Sequence, residues 1–305
     1  MIKSVTIIND LGDSVTMTLG EVEPYSGLLI TEIEGLGPVK ADVNMTKMAT
    51  QHGQKFNSVR ANGRNIVLHV LFTYAETIED VRQSTYKYFP LSRKITFHIE
   101  TDNRIVEAYG YVESNDPDIF SDMESATISI VCESPWMADV SAYGYQTLNF
   151  SDINNKFEFI WSNESVTQPL TEFSVVDEKG EKLIHYDGET EAGCIISIYA
   201  YGTFTYPTIY YNITHEYYKI DTSQIEKMIG SIITPGDEIK ISTVTNDKWA
   251  KFIRHGKEYN ILNAIDINST WFQVRPGDNV FSYTCESGNL DIVIELQTQI
   301  LYQGV

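Results

Sequence analysis

Alternation of apolar and polar residues predicts strands along most of this chain and helices almost nowhere. Residues 2–8 and 14–19 alternate around NDLGD and predict an N-terminal hairpin. In GQKFNSVRANGRNIVLHVLF the pair Asn62-Gly63 is a strong hairpin signal, and the run after it is apolar on two faces. Ile66, Leu68, Val70 and Phe72 fall on one face, with Val67, His69 and Leu71 on the other. A strand of this kind is covered twice, once by its own core and once by a further layer or a neighbouring subunit. Val67, His69 and Leu71 are therefore subunit-interface candidates.

The segment ETIEDVRQSTYKYF predicts a helix. Thr77 is placed to cap it, Glu79 and Asp80 lie in its first turn, Ile78, Val81, Thr85 and Phe89 fall near one stripe, and Pro90 ends it. KITFHIE, RIVEAYGYV and SATISIVCE then read as strands, with DNR and SNDPDIFSD as turns between them. Pro, Gly and polar punctuation in ESPWMADVSAYGYQTLNF marks a domain boundary near residues 134–145, dividing the chain into 1–140 and 141–305. A cut near Ala142 is expected to cross few buried contacts. The second region predicts the strands FEFIW, TEFSVVD, CIISIYAYG, PTIYYNITH, EIKISTV, KWAKFI and DIVIEL. TSQIEKMIGSI is too short to assign from its pattern. The expected class is mainly β: a strand-rich first domain with one helix, then a β-sandwich or jelly roll.

Two stretches of the second region share a form. ITPGDEI and VRPGDNV both run apolar, any residue, Pro, Gly, Asp, any residue, apolar. Pro fixes φ for the second position of a β-turn and Gly accepts the positive φ of a type II turn at the third, so Pro235, Gly236, Pro276 and Gly277 are predicted as hairpin-like structural corners.

Composition narrows the functions open to such a chain. With 22 basic against 42 acidic residues the formal charge is −20, which opposes tight binding to a nucleic-acid backbone. The first 140 residues hold 20 acidic and 11 basic side chains and the remainder 22 and 11, so the acidity is global. Cys132, Cys194 and Cys285 are odd in number, far apart and set in apolar strands, as buried free thiols are. No apolar run approaches the ~20 residues of a membrane span and no signal peptide is evident, so folding in a reducing cytoplasm without membrane insertion is expected.

Candidate chemistry is sparse. EGLGPVK lacks the third glycine of a dinucleotide fingerprint and the ending of a P-loop, and GxSxG, HExxH and paired CxxC do not occur. The six histidines are scattered: His69 reads as a core or interface residue, His98 as part of a polar strand face and His255 as part of the turn RHGK. The acidic stretches DEKGE and DGETE lack EF-hand spacing. Trp161, Trp249 and Trp271 could serve a sugar site, yet each stands in or beside a strand where burial is the commoner fate. No catalytic residue, cofactor or metal site is expected. A carbohydrate-binding adhesion module is the alternative function.

Taken together, the segments carry a resemblance. GQKFNSVRANGRNIVLHVLF, RIVEAYGYVES and the exit SIVCESPWM resemble the first half of phage distal tail proteins, and ITPGDEIKISTV, HGKEYNILNAIDINSTWFQVRPGDNVFSY and DIVIELQTQILYQGV resemble their C-terminal sandwich. The resemblance covers nearly the whole chain. It implies a six-membered hub ring made by the first domain, seated between the tail tube protein and the tail-tip hub protein of a virion. It also implies outward-facing, galectin-like C-terminal domains that anchor receptor-binding proteins. No His-x-Asn-x-Arg stretch of true galectins is present, which favours attachment over sugar binding.

Overall fold

The computed structural model describes residues 1–19, 26–49, 52–73, 77–154, 175–178 and 181–305. The first strands are β1 (Ile2–Asn9), β2 (Ser14–Thr18), β3 (Leu28–Glu34), β4 (Ala41–Lys47), β5 (Gln54–Ala61) and β6 (Arg64–Phe72). Helix α1 (Ile78–Tyr88) follows, then β7 (Lys94–Thr101), β8 (Ile105–Asp118), β9 (Ser125–Cys132) and β10 (Met137–Asp139). Next come β11 (Tyr145–Asn149), β12 (Ser151–Asn154), β13 (Val175–Glu178), β14 (Glu181–Tyr186), β15 (Cys194–Ala200), β16 (Thr208–Tyr211) and β17 (Glu216–Lys219). Helix α2 (Thr222–Ile229) precedes β18 (Glu238–Ser242), β19 (Trp249–Arg254), β20 (Lys257–Asn260), β21 (Gly277–Thr284), β22 (Ile292–Gln299) and β23 (Leu301–Tyr302).

Two compact units result, one made of Met1–Gly144 with Leu301–Val305 and the other of Tyr145–Ile300. The closing five residues thus belong with the first unit, whereas the boundary expected from sequence groups them with the second domain. Their strand β23 pairs with β10, which itself pairs with β8.

The first unit is built on an antiparallel sheet in the order β2-β1-β7-β8-β9-β6-β3. A parallel bridge between Leu19 and Ile30 joins the strands at its two ends, so the sheet curls round a single core. Period-two alternation supplies that core: Val5 and Ile7, Ile95, Phe97 and Ile99, and Ile66, Leu68 and Val70 are all buried. Helix α1 forms where its start signals predict it. The Asp80 N–H donates to Thr77 Oγ1 at 3.1 Å, and Val81 and Thr85 face inward. Ile78, counted on the buried stripe from sequence, is exposed at the first turn.

Two local readings change. Asn62-Gly63 does not close a hairpin, because β5 pairs with β4 from Ala41 opposite Ala61, whereas β6 runs between β3 and β9. Neither residue takes the positive φ that such a hairpin turn requires, and the pair links two sheets instead. β8 continues through SNDPD to Asp118 by way of a bulge between Val112 and Ser114, shortening the predicted turn to the residues before Ser125.

The second unit has a six-stranded antiparallel sheet, β11-β22-β15-β18-β19-β20, and a four-stranded one, β14-β21-β16-β17. Ile196, Ile198, Ile239, Ile241, Ile294 and Leu296 fill the buried face of the first. Aromatic side chains dominate the other: Tyr211 stacks on Phe281 with centroids 4.9 Å apart, and Phe272 lies 5.6 Å from Phe281. TSQIEKMIGSI is helix α2, capped by Asp221, whose carboxylate accepts from the Ser223 N–H, and ended by Gly230 with φ of 74°. FEFIW and Trp161 lie outside the described residues, as does the first part of TEFSVVD.

Candidate assembly surfaces

β6 presents the surface that its sequence marks. Arg64, Ile66, Leu68, Val70 and Phe72 are buried, while Val67, His69 and Leu71 alternate with them on the opposite face and stay half-exposed. Across the ladders these three oppose Ser129, Thr127 and Ser125 on β9, and Glu34, Glu32 and Leu29 on β3. The apolar stripe is therefore narrow, with largely polar borders. His69 takes part in both borders, with Nε2 3.4 Å from a Glu34 carboxylate oxygen and Nδ1 3.4 Å from Thr127 Oγ1. His98 sits on the same kind of outer face, its Nε2 2.9 Å from Glu107.

Beneath this strand lies a feature that sequence reasoning missed. Arg64, 1% exposed, opens β6 and turns its guanidinium inward. Its Nε and Nη2 donate to the Pro135 carbonyl at 3.2 and 2.9 Å, Nη1 to the carbonyls of Gly37 (2.9 Å) and Gly35, and Nη2 also to that of Gln303 at 2.6 Å. Burial pulls its pKa down, and these carbonyl dipoles compensate the buried charge. Arg104 completes the hold on the C-terminal segment, donating to the Gly304 carbonyl at 3.1 Å and lying 4.0 Å from the Tyr302 ring centroid. An Arg that follows Asn-Gly gives no signal of this role in one dimension.

In the second unit the two Pro-Gly corners share a positive φ at glycine and differ in their bracing. Gly236 has φ of 91° and Gly277 of 90°. At the first, the Asp237 N–H donates to the Thr234 carbonyl at 3.1 Å, closing the predicted β-turn. Asp237 is then gripped by Arg254, whose Nε donates at 2.7 Å and whose Nη2 reaches the other carboxylate oxygen. At the second, bracing comes from Asn279, which accepts from the Arg275 N–H at 3.0 Å and donates to the carbonyls of Arg275 (2.7 Å) and Gly277 (2.8 Å). Neither corner is a hairpin: one leads from the α2 segment into β18, and the other leads from the Val274 bridge into β21.

All three cysteines are buried and free. Burial pushes the Cys132 thiol up to about 11 and the Cys194 thiol up to about 12, which keeps both protonated. His185 lies 2.6 Å from the Asp278 carboxylate, and that hydrogen bond raises its pKa, but both side chains are well exposed. A cleft of about 680 Å³ in the first unit is lined by Ile33, Leu36, Asn103 and Arg104 and contains the Met1 ammonium paired with Asp102 at 2.5 Å. Trp249 and Trp271 are half-buried, the latter edge-on to Tyr218 at 5.1 Å.

No protein-family profile and no curated protein sequence matches this chain. Solved structures do. A chain of the phage P2 baseplate in its activated conformation with Ca aligns over 100% of both chains with a TM-score of 0.51 and 11% identity. The crystal structure of the SPP1 Dit (gp 19.1) protein, described as a paradigm of the hub adsorption apparatus in Gram-positive-infecting phages, aligns over 97% of this chain and 99% of its own with a TM-score of 0.64 and 12% identity. Over nearly its full length, through both the curled first sheet and the paired sheets of the second unit, the chain has the fold of a Dit protein.

Proposed function

We propose that this protein is a structural component of a phage or prophage tail tip, forming a hexameric hub ring that joins the tail tube to the tip or baseplate and anchors host-adhesion proteins. The observation that carries this reading is the likeness to SPP1 Dit over 97% of the chain. The buried thiols and the solvated His185–Asp278 pair support a scaffold role over a catalytic one. In the assembly the first unit makes the ring and the second faces outward as the attachment platform, with the outer face of β6 at Val67, His69 and Leu71 contributing to the contact between subunits. A chain of net charge −20 also suits a conduit through which DNA slides without sticking.

Negative-stain images of the purified chain should show rings of six. Val67→Asp should shift native mass spectra towards monomer with the far-UV circular dichroism preserved, because the residue is half-exposed and its change does not enter the core. An oligomer left intact by Val67→Asp would remove this face from the interface. Duplex DNA bound with sub-micromolar affinity at physiological salt would contradict the conduit role.

A further inference from the structure

We infer that the β4–β5 hairpin of one copy docks on the β8–β9 tip of a second copy of this chain, apolar side chain against apolar side chain and base against acid. This inference rests on the ring reading above and names the residues that would close it.

Among the described residues the hairpin is a two-stranded sheet that pairs only with itself. Every residue of β4 is exposed, and so is every residue of β5 before Ala61. Across its ladder Val43 faces Val59 and Met45 faces Phe56, and Phe56 and Val59 are 56% and 57% exposed. A lone two-stranded hairpin is marginal in water, and one that shows four large apolar side chains to solvent is a surface awaiting a cover. Its charge indicates what the cover is. In a chain of net charge −20, this hairpin and the residue leading into it carry Lys40, Lys47, Lys55 and Arg60 against Asp42.

The complementary surface lies on the same unit. The tip joining β8 to β9 presents Asp116, Asp118 and Asp122 around Ile119, Met123 and Phe120, the last 95% exposed. The Phe120 N–H donates to Asp118 Oδ1 at 3.3 Å, and Ser121 Oγ donates to the Met123 carbonyl at 2.6 Å, so the tip is internally tied.

Register sets the roots of the two surfaces at opposite ends of the same strands. β6 runs antiparallel to β9 from Arg64 opposite Cys132 to Leu71 opposite Ser125. The hairpin leaves the sheet at the Arg64 end and the tip leaves it at the Ser125 end, roughly 23 Å away at ~3.3 Å per residue. Two different, mutually complementary patches at opposite ends of the same strands make a head-to-tail contact, the kind that closes into a ring. Charge pairing of this sort sets register and excludes wrong partners, while the apolar rungs supply the burial.

The test is charge reversal in the full-length chain, read by sedimentation and native mass spectrometry over a concentration series. Lys55→Glu with Arg60→Glu, and separately Asp118→Lys with Asp122→Lys, should each raise the half-assembly concentration at least tenfold with circular dichroism unchanged. The quadruple variant should return to within about threefold of wild type. An equimolar mixture of the two double variants should also assemble, since in an alternating ring the acidic hairpin of one meets the basic tip of the other and the basic hairpin meets the acidic tip, so every contact pairs opposite charges, and this mixture decides the matter if the quadruple chain folds poorly. Rings that survive both reversals, or reversals that neither combination rescues, would overturn the docking and leave the ring reading standing. A wild type that stays monomeric at every concentration would overturn both.

Discussion

Arg64 shows how much one side chain can settle. Its donors reach carbonyls in three separate stretches, at Gly35 and Gly37, at Pro135 and at Gln303, so removal strands several buried acceptors at once. Arg64→Met should lower the stability of the first unit by about 3 kcal/mol or more in urea unfolding. Arg64→Lys should recover little of it, because an ammonium cannot span the same fork of acceptors. Gly277 is a gentler case. A Cβ added there would meet nothing within 4 Å, so the penalty for Gly277→Val is the positive φ itself, about 1–3 kcal/mol, seen as a lower melting temperature of the second unit with the ring unaffected. Asp237 adds a pH dependence. Burial pushes its carboxyl up, but the Arg254 guanidinium and the Thr234 donors outweigh burial and hold it below its ordinary value of 3.8. A carboxyl with a depressed folded pKa stabilises above the unfolded value and loses that stabilisation as pH falls through the folded one. Asp237→Asn should therefore melt below wild type at pH 7, and the gap should narrow as the pH drops below about 4.

At the scale of elements, local signals succeeded where the physics is local. Thr77, Glu79 and Asp80 start α1 because a cap and a favourable first turn act within four residues. Ile95, Phe97 and Ile99 mark β7 because a pleated strand puts alternate side chains on one face. Signals failed where pairing partners are chosen over a distance. Asn62-Gly63 reads as a hairpin turn, yet the strands on either side each find another partner, β4 for one and β9 with β3 for the other. The helix α2 escapes detection because eight residues give too few turns for a periodic pattern to stand out. Its cap, Asp221 with the Ser223 N–H, and its stop at Gly230 were the available signal.

The whole molecule adds a constraint that neither residues nor elements announce. Because β23 pairs with β10 and Gln303 and Gly304 accept from Arg64 and Arg104, the first unit needs the last five residues of the chain. Deleting residues 301–305 should lower the melting temperature of the first unit and weaken ring formation, while the second unit keeps its own cooperative transition. A fragment ending at residue 141 should show the same deficit, and adding a linked copy of residues 301–305 should repair it. If the deletion melts like wild type, the returning strand contributes no stability.

The order of residues already carries the class of structure: a mainly β chain with one strong helix, two glycine corners, buried thiols and a strand with two apolar faces. Each of these follows from the chemistry of neighbouring residues, through backbone φ, side-chain alternation or capping, and so can be read in one dimension. Folding in three dimensions settled the rest: which strands pair, that β5 leaves the main sheet with β4, that Arg64 turns inward, and that residues 301–305 return to the first unit. Those outcomes depend on contacts between residues as far apart as Arg64 and Gln303, whose free energy exists only once the sheet has closed around them.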